Sequence, residues 1–235
     1  MRILGLCTER LSRRLVRTLL AASLVAASTV SAHAEPCADL TDTPPAFSFN
    51  VNLGQIAVNA GLSRDQLQSL QTRRGGTGIR AGWQPIGLTL ADVQMHTQVQ
   101  IQAVPVGRGR YCARLTAVEA TMGVDRIDVY VANRYRPGSC QYESVLEHEM
   151  RHVTIFRDAV QRFAPAVRRR LEETARVIPA VTAPSADEAA KRLQDRLQRQ
   201  VQPIFKEMNR AIDRANQLLD SPENYAREQT RCPSW

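Results

Sequence analysis

The chain is poor in the features that mark several large protein classes. Aromatic residues make up 5% of its 235 positions, and no Lys/Arg run is interleaved with them, so a phosphate-tracking surface with stacking platforms is not indicated. There is no internal repeat, which excludes a solenoid or propeller. The 12 Gly and 12 Pro exclude a collagen-like or low-complexity chain. No two cysteines stand at C-x-x-C spacing, which argues against a zinc-thiolate site. The 43% of hydrophobic residues supply one compact core, and a single globular domain follows over residues 35–235.

The excess of positive charge is concentrated at the N-terminus. Of the 31 basic residues, Arg2, Arg10, Arg13, Arg14 and Arg17 lie in the first 34 positions, together with one of the 23 acidic residues, Glu9; the remainder carries 26 basic against 22 acidic side chains, a net +4. The basic start, the apolar stretch Thr18 to Val30 and the small-x-small site Ala32-His33-Ala34 read as a cleaved export signal over residues 1–34. The apolar stretch is too short and too rich in Ala and Ser for a stable membrane span. Ser12-Arg13-Arg14-Leu-Val-Arg17 resembles a twin-arginine signal, so the export route stays open between the two bacterial systems. A periplasmic or secreted location is expected, with no nucleic-acid partner and no stable membrane span after cleavage.

Four cysteines remain after the signal: Cys37, Cys112, Cys140 and Cys232. In an exported chain they read as two disulfides with three connectivities. Cys112 opens one strand and Cys140 closes the turn after its partner, while Cys37 and Cys232 lie near the two ends, so the pairs Cys112–Cys140 and Cys37–Cys232 are expected.

Periodicity divides the domain into a strand-rich part, 35–140, and a helical part, 141–235. Phe47 to Leu53 alternates and predicts a first strand, and Ser63-Arg-Asp-Gln66 is a capping box for a short helix. Gly75-Gly-Thr-Gly78 lacks the flanking strand and Lys of a phosphate cradle and reads as a loop. From Thr89 to Asn133 the period is two, in three stretches, the last two separated at Met122-Gly-Val-Asp125, which predicts an antiparallel meander with His96 on its polar face. A helix from Ser144 to Phe163 is expected to break or kink at Ala164-Pro165. After the Pro-rich linker 179–184 and the capping box Ser185-Ala-Asp-Glu188, Leu193, Leu197, Val201, Phe205, Met208, Ile212, Ala215 and Leu219 predict a long amphipathic helix kinked at Pro203. The fold class is α+β.

His148-Glu149-Met150-Arg151-His152 is an H-E-x-x-H. On a helix, residues four apart stand one above the other, so two imidazoles can hold one Zn²⁺ while the carboxylate between them reaches a water on it. With Val145 at zero, His148 falls at about −60°, His152 at about −20° and Glu149 at about 40°, against an apolar stripe from about 0° to 140°. Burying that carboxylate beside the stripe calls for a partner, and a dication is one.

The pentapeptide and the order of elements around it resemble the zincin metallopeptidases, and more narrowly the bacterial Zn-dependent proteases grouped as domain-of-unknown-function family 922. The similarity covers roughly residues 80–232: cysteine-led strands (Tyr111-Cys112-Ala-Arg-Leu-Thr-Ala-Val118), a Pro-containing turn, the H-E-x-x-H helix, then a long helix. Near the end that family carries Asp-x-x-Thr-x-His-Gly, where this chain has Arg227-Glu-Gln-Thr230-Arg231-Cys232. The resemblance implies Zn²⁺ on His148 and His152, Glu149 as general base, and a peptide or protein substrate.

A third ligand is required. Glu172, 20 residues beyond His152, is favoured because a helical hairpin closed at Pro165 returns the chain to the height of the histidines near Glu172 and Glu173. Asp158 matches the spacing of a longer ligand pattern, but Ile155 stands where that pattern has its turn glycine. Asp220, Glu223 and Glu228 are further candidates, and Tyr135, Tyr142 or Tyr225 is a candidate oxyanion donor. Against the peptidase stands a non-catalytic envelope protein whose helices bind a partner around a structural or vestigial metal; a closed four-ligand site would favour it, and three ligands in an open cleft would favour the enzyme.

Overall fold

The computed structural model describes Cys37, Leu40, residues 43–73 and residues 84–235. The export segment 1–34 and the loop 75–78 lie outside the described residues. The elements are β1 (Ala46–Asn59), α1 (Arg64–Arg73), β2 (Gly87–Pro105), β3 (Tyr111–Val131), α2 (Cys140–Val177), β4 (Val181–Ala183), α3 (Ala186–Leu219) and α4 (Pro222–Gln229). Helices and a mixed sheet make an α+β chain.

The sheet corrects the expected antiparallel meander. β3 is its centre; β2 runs antiparallel on one side, β1 runs parallel on the other, and β4 pairs antiparallel with Tyr111–Ala113. The stretch Met122–Asp125 is not a turn but the middle of β3, a single strand of 21 residues. Gly123 stands there because β1 comes close: with φ +149°, a Cβ on it would lie 1.7 Å from the Asn52 carbonyl oxygen. The reversal between β2 and β3 falls instead at Gly107, Arg108 and Gly109, all with positive φ, closed by the Val106 N–H on the Arg110 carbonyl (2.9 Å). The polar residues Asp92, Gln94, His96 and Gln98 of β2 are exposed, whereas Val93, Met95 and Val99 pack into the core, so this alternation was legible and His96 is solvated.

The helices correct the second expectation. Ser139 caps α2 by accepting from the Tyr142 N–H (3.2 Å), and the helix runs 38 residues without a break at Pro165. A proline in a helix interior costs about 3 kcal/mol. On either side of it Val160, Phe163, Val167 and Leu171 are buried, at roughly 1.5–3 kcal/mol for each large side chain, so packing wins. Most of this stripe meets Val118, Ala120 and Met122 of β3 and Leu193, Leu197 and Val201 of α3 in one core. α3 is the long amphipathic helix expected, capped by Ser185 and continuous through Pro203.

The disulfides are Cys37–Cys112 and Cys140–Cys232, with Cα–Cα distances of 5.6 and 5.8 Å, not the expected Cys112–Cys140 and Cys37–Cys232. The unbroken β3 is the reason: Cys112 begins it and Cys140 follows its far end, roughly 60 Å of strand away. Cys140–Cys232 instead ties the first residue of α2 to the segment after α4.

Because the β1 backbone occupies the space a Cβ would need, Gly123→Ala should destabilise the mature protein by more than about 2 kcal/mol, read as a lower urea midpoint. An unchanged midpoint would mean that β1 does not approach β3 there.

Candidate metal centre

Three turns into α2 the apolar stripe gives way to His148, Glu149 and His152, which are 5%, 5% and 8% exposed. Facing them are the last turn of α3 and α4. Asp220 is the C-cap of α3, its N–H on the Asn216 carbonyl oxygen (2.8 Å), and Ser221 caps α4 with Pro222 in its first turn. His148, His152 and Asp220 thus form a group that can hold a metal ion.

The outer ring nitrogens set the chemistry of the inner ones. His148 Nδ1 lies 2.8 Å from Glu228 Oε2, and His152 Nδ1 lies 2.9 Å from Asn216 Oδ1. Both partners accept, so each Nδ1 donates, and a neutral ring keeps its lone pair on Nε2. Those two Nε2 atoms are 3.2 Å apart, and each is 3.1 Å from Asp220 Oδ1. Three lone-pair atoms so placed repel one another unless a cation stands between them. Donor atoms spaced 3.1–3.2 Å apart are close enough to share one ion at the usual Zn–N and Zn–O distance of about 2.0–2.1 Å. The donor set fits.

The titration behaviour shows the same demand for positive charge. Burial pushes His152 down, but the hydrogen bond to Asp220 and the charge of Glu149 outweigh it and bring it up to about 9; His148 is raised by the same opposition. Burial pushes Asp220 up, and the hydrogen bonds from both histidines overcome it and hold it well below the usual carboxylate range. Its position at the C-terminal, negative end of α3 increases the need for a cation.

A second layer fixes these groups. Glu228, 8% exposed, also accepts from Arg151 Nη1 (2.9 Å) and Asn224 Nδ2 (3.1 Å). Tyr225 stacks on His148 with ring centroids 5.2 Å apart and donates to Asp220 Oδ1 (2.8 Å); burial, with Asp220 beside it, raises its pKa and keeps the hydroxyl protonated.

Glu149 is not among the three converging ligands. Its Oε2 accepts from the Thr89 hydroxyl at 2.7 Å, and burial pushes its pKa up against the lowering influence of the two histidines. At the start of β2, a Cβ on Gly87 would come within 2.3 Å of Glu149 Oε1, so only glycine lets strand and carboxylate pack this closely. These groups border a cavity of about 620 Å³ that continues past Gly87 and Thr89 toward α1. Asp220 keeps 42% of its side-chain surface exposed, so the centre is not sealed.

The structure brings together His148, Glu149 and His152 on one turn of α2, and it places Glu172 elsewhere. Without a hairpin at Pro165, Glu172 lies 20 residues further along the same helix, roughly 30 Å from His152, where it pairs with Arg176 (2.6 Å). Asp158, Glu173 and Glu223 are exposed. Asp220 joins the two histidines in the group that can hold a metal ion, and its signal lay in the stripe of α3: Met208, Ile212, Asn216 and Asp220 recur at steps of four, turning polar where they meet the histidines. Of the tyrosines, Tyr225 is at the centre, Tyr135 lines the cavity, and Tyr142 packs in a small side core.

Comparison with protein families, curated proteins and solved structures finds no match for the chain.

Metal content separates the candidates for third ligand. Asp220→Ala should lose most of its bound metal after dialysis, as should the double change His148→Ala, His152→Ala, whereas Glu172→Ala should keep it. Glu228→Gln, which weakens the hold on His148, should lower metal affinity about 10- to 100-fold. Retention of metal by Asp220→Ala would remove it from the ligand set.

Proposed function

We propose that the protein is an exported zinc-dependent metallopeptidase of the zincin type. The observation that carries this reading is the pairing of three convergent ligand atoms, from two histidines and one aspartate, with a second carboxylate outside that group, Glu149, in one open cavity. Two imidazoles and one carboxylate suit a borderline ion such as Zn²⁺ better than Ca²⁺ or Mg²⁺, which prefer oxygen throughout. Zn²⁺ at such a site lowers the pKa of a water toward about 7 and polarises a carbonyl. Three protein ligands beside a cavity favour catalysis over a structural metal, which is enclosed by four. The two disulfides suit an oxidising compartment, in line with export.

The chain's own groups divide the work. His148 and His152 hold their Nε2 lone pairs inward because Glu228 and Asn216 occupy Nδ1. Thr89 fixes Glu149 through Oε2 and leaves Oε1 to take the proton of the attacking water and pass it to the leaving amine. Tyr225 orients Asp220 through its hydroxyl, so it acts as a positioning residue.

Glu149→Gln preserves size and most hydrogen bonds but cannot accept a proton. It should retain about one Zn²⁺ per chain and native folding, while hydrolysis of a mixed-sequence peptide library falls roughly 10²- to 10⁴-fold. Equal cleavage by both proteins would overturn the role of Glu149. Iron in place of zinc in protein purified without chelator would overturn the hydrolase reading, since two histidines and one carboxylate also serve iron oxygenases.

A further inference from the structure

Four buried side-chain atoms among the described residues have no hydrogen-bond partner: Arg64 Nε, Gln71 Oε1, Ser144 Oγ and Thr97 Oγ1. The first three residues all line the cavity that contains the metal centre, and Thr97 does not. Buried polar atoms are nearly always partnered, because leaving one unpaired costs about 1–3 kcal/mol. Three such residues around one cavity therefore point to what the cavity accepts.

Their chemistry is specific. Arg64 is in the first turn of α1, and Gln71 is seven residues on, so the two share a helix face. Ser144, 6% exposed, precedes His148 by four residues on α2, which sets its Oγ about 6 Å along the helix from the metal ligands, one or two residues of extended peptide away. Arg64 has no carboxylate partner among the described residues, although most arginines around the centre, such as Arg151 and Arg231, are paired. A guanidinium carries its donors in a planar fork matched to a carboxylate. The Ser144 hydroxyl and the Gln71 amide, which can turn its NH₂ inward, add neutral donors. Among the described residues no acid stands within ion-pair distance of Arg64, so its natural partner is a carboxylate on the ligand.

We propose that the end of the cavity formed by Arg64, Gln71 and Ser144 is a carboxylate-binding subsite, which selects peptides that present an acidic group one or two residues from the scissile bond. The proposal rests on the metallopeptidase reading for the word scissile and on the cavity alone for the binding. The carboxylate has two possible sources, an Asp or Glu side chain or the C-terminus of the peptide, and the test separates them.

The experiment uses the full mature chain loaded with Zn²⁺ and carrying Glu149→Gln, so that peptides bind without turnover. The probes are alanine-based hexapeptides in which one Glu is walked through all six positions, each beside its Gln counterpart, and each with a free or an amidated C-terminus. Calorimetry should show about tenfold tighter binding either for Glu over Gln at one position, which assigns a side-chain carboxylate, or for every free acid over its amide, which assigns the C-terminus. Arg64→Met should abolish that difference while leaving the neutral peptides within about twofold. Arg64→Lys, which keeps charge but not the fork, should retain only part of it and controls for any loss of folding. Equal binding of acidic and neutral peptides, a preference that survives Arg64→Met, or no binding of any probe overturns the proposal. Hydrolysis by the Glu149 parent is scored separately: cleavage without acid preference sinks the subsite and spares the peptidase, while Arg64-dependent binding without cleavage does the reverse.

Discussion

The arrangement around the centre depends on one repulsion. The His148 and His152 Nε2 atoms and Asp220 Oδ1 are held within 3.2 Å of one another, each presenting a lone pair to the same point. Left to themselves these groups would gather protons or swing apart, and the raised imidazole pKa values are the first of those responses. Holding them in place needs outer partners, and the chain supplies one for each: Glu228 for His148, Asn216 for His152, Tyr225 for Asp220. Every one of those partners comes from the last turn of α3 or from α4.

That division explains why the helices are as long as they are. The ligand-bearing turn of α2 and the end of α3 come from segments some 70 residues apart, so their register has to be set by the whole interface between two continuous helices. A break at Pro165 or Pro203 would have given each half an independent angle. Instead the core of Val167, Leu171, Leu193 and Leu197 keeps both helices unbroken, and Cys140–Cys232 ties the start of α2 to the chain beyond Glu228. The disulfide leads from the chain just beyond α4 back to the first residue of α2, so α4 cannot drift from His148 without carrying the start of α2 with it.

How much of this was legible in the sequence follows from the range of the interactions. Local signals are legible: the caps at Ser63 and Ser185, the alternation of β2 and the stripe of α3 are each set within a few residues. The errors were tertiary. Pro165 is a helix breaker by propensity, and only the packing on both its sides shows why it is overridden; with the hairpin went Glu172. Gly123 looks like a turn residue until the Asn52 backbone is seen against it, and with the turn went the disulfide pairing. Asp220 could not be ranked above Glu223 or Glu228 because nothing local says that the end of α3 meets α2 at the histidines.

Glu149 shows what the site asks of the rest of the fold. A carboxylate 5% exposed has surrendered its hydration, and a single hydroxyl, from Thr89, is a weak replacement, so its burial opposes folding. The compensation is geometric. Gly87 lets the start of β2 pack beside Oε1 with no side chain between, and Thr89, two residues on and on the same face of the strand, reaches Oε2. The Glu149 carboxylate is thus held by the strand, while His148, His152 and Asp220 are held by α3 and α4. On the proposed reading, a change that loosens β2 would free the base and spare the metal ligands, and a change that loosens α4 would do the reverse. Two separately supported halves meet at one turn of α2, and the cavity between their supports is the space in which a substrate would touch both.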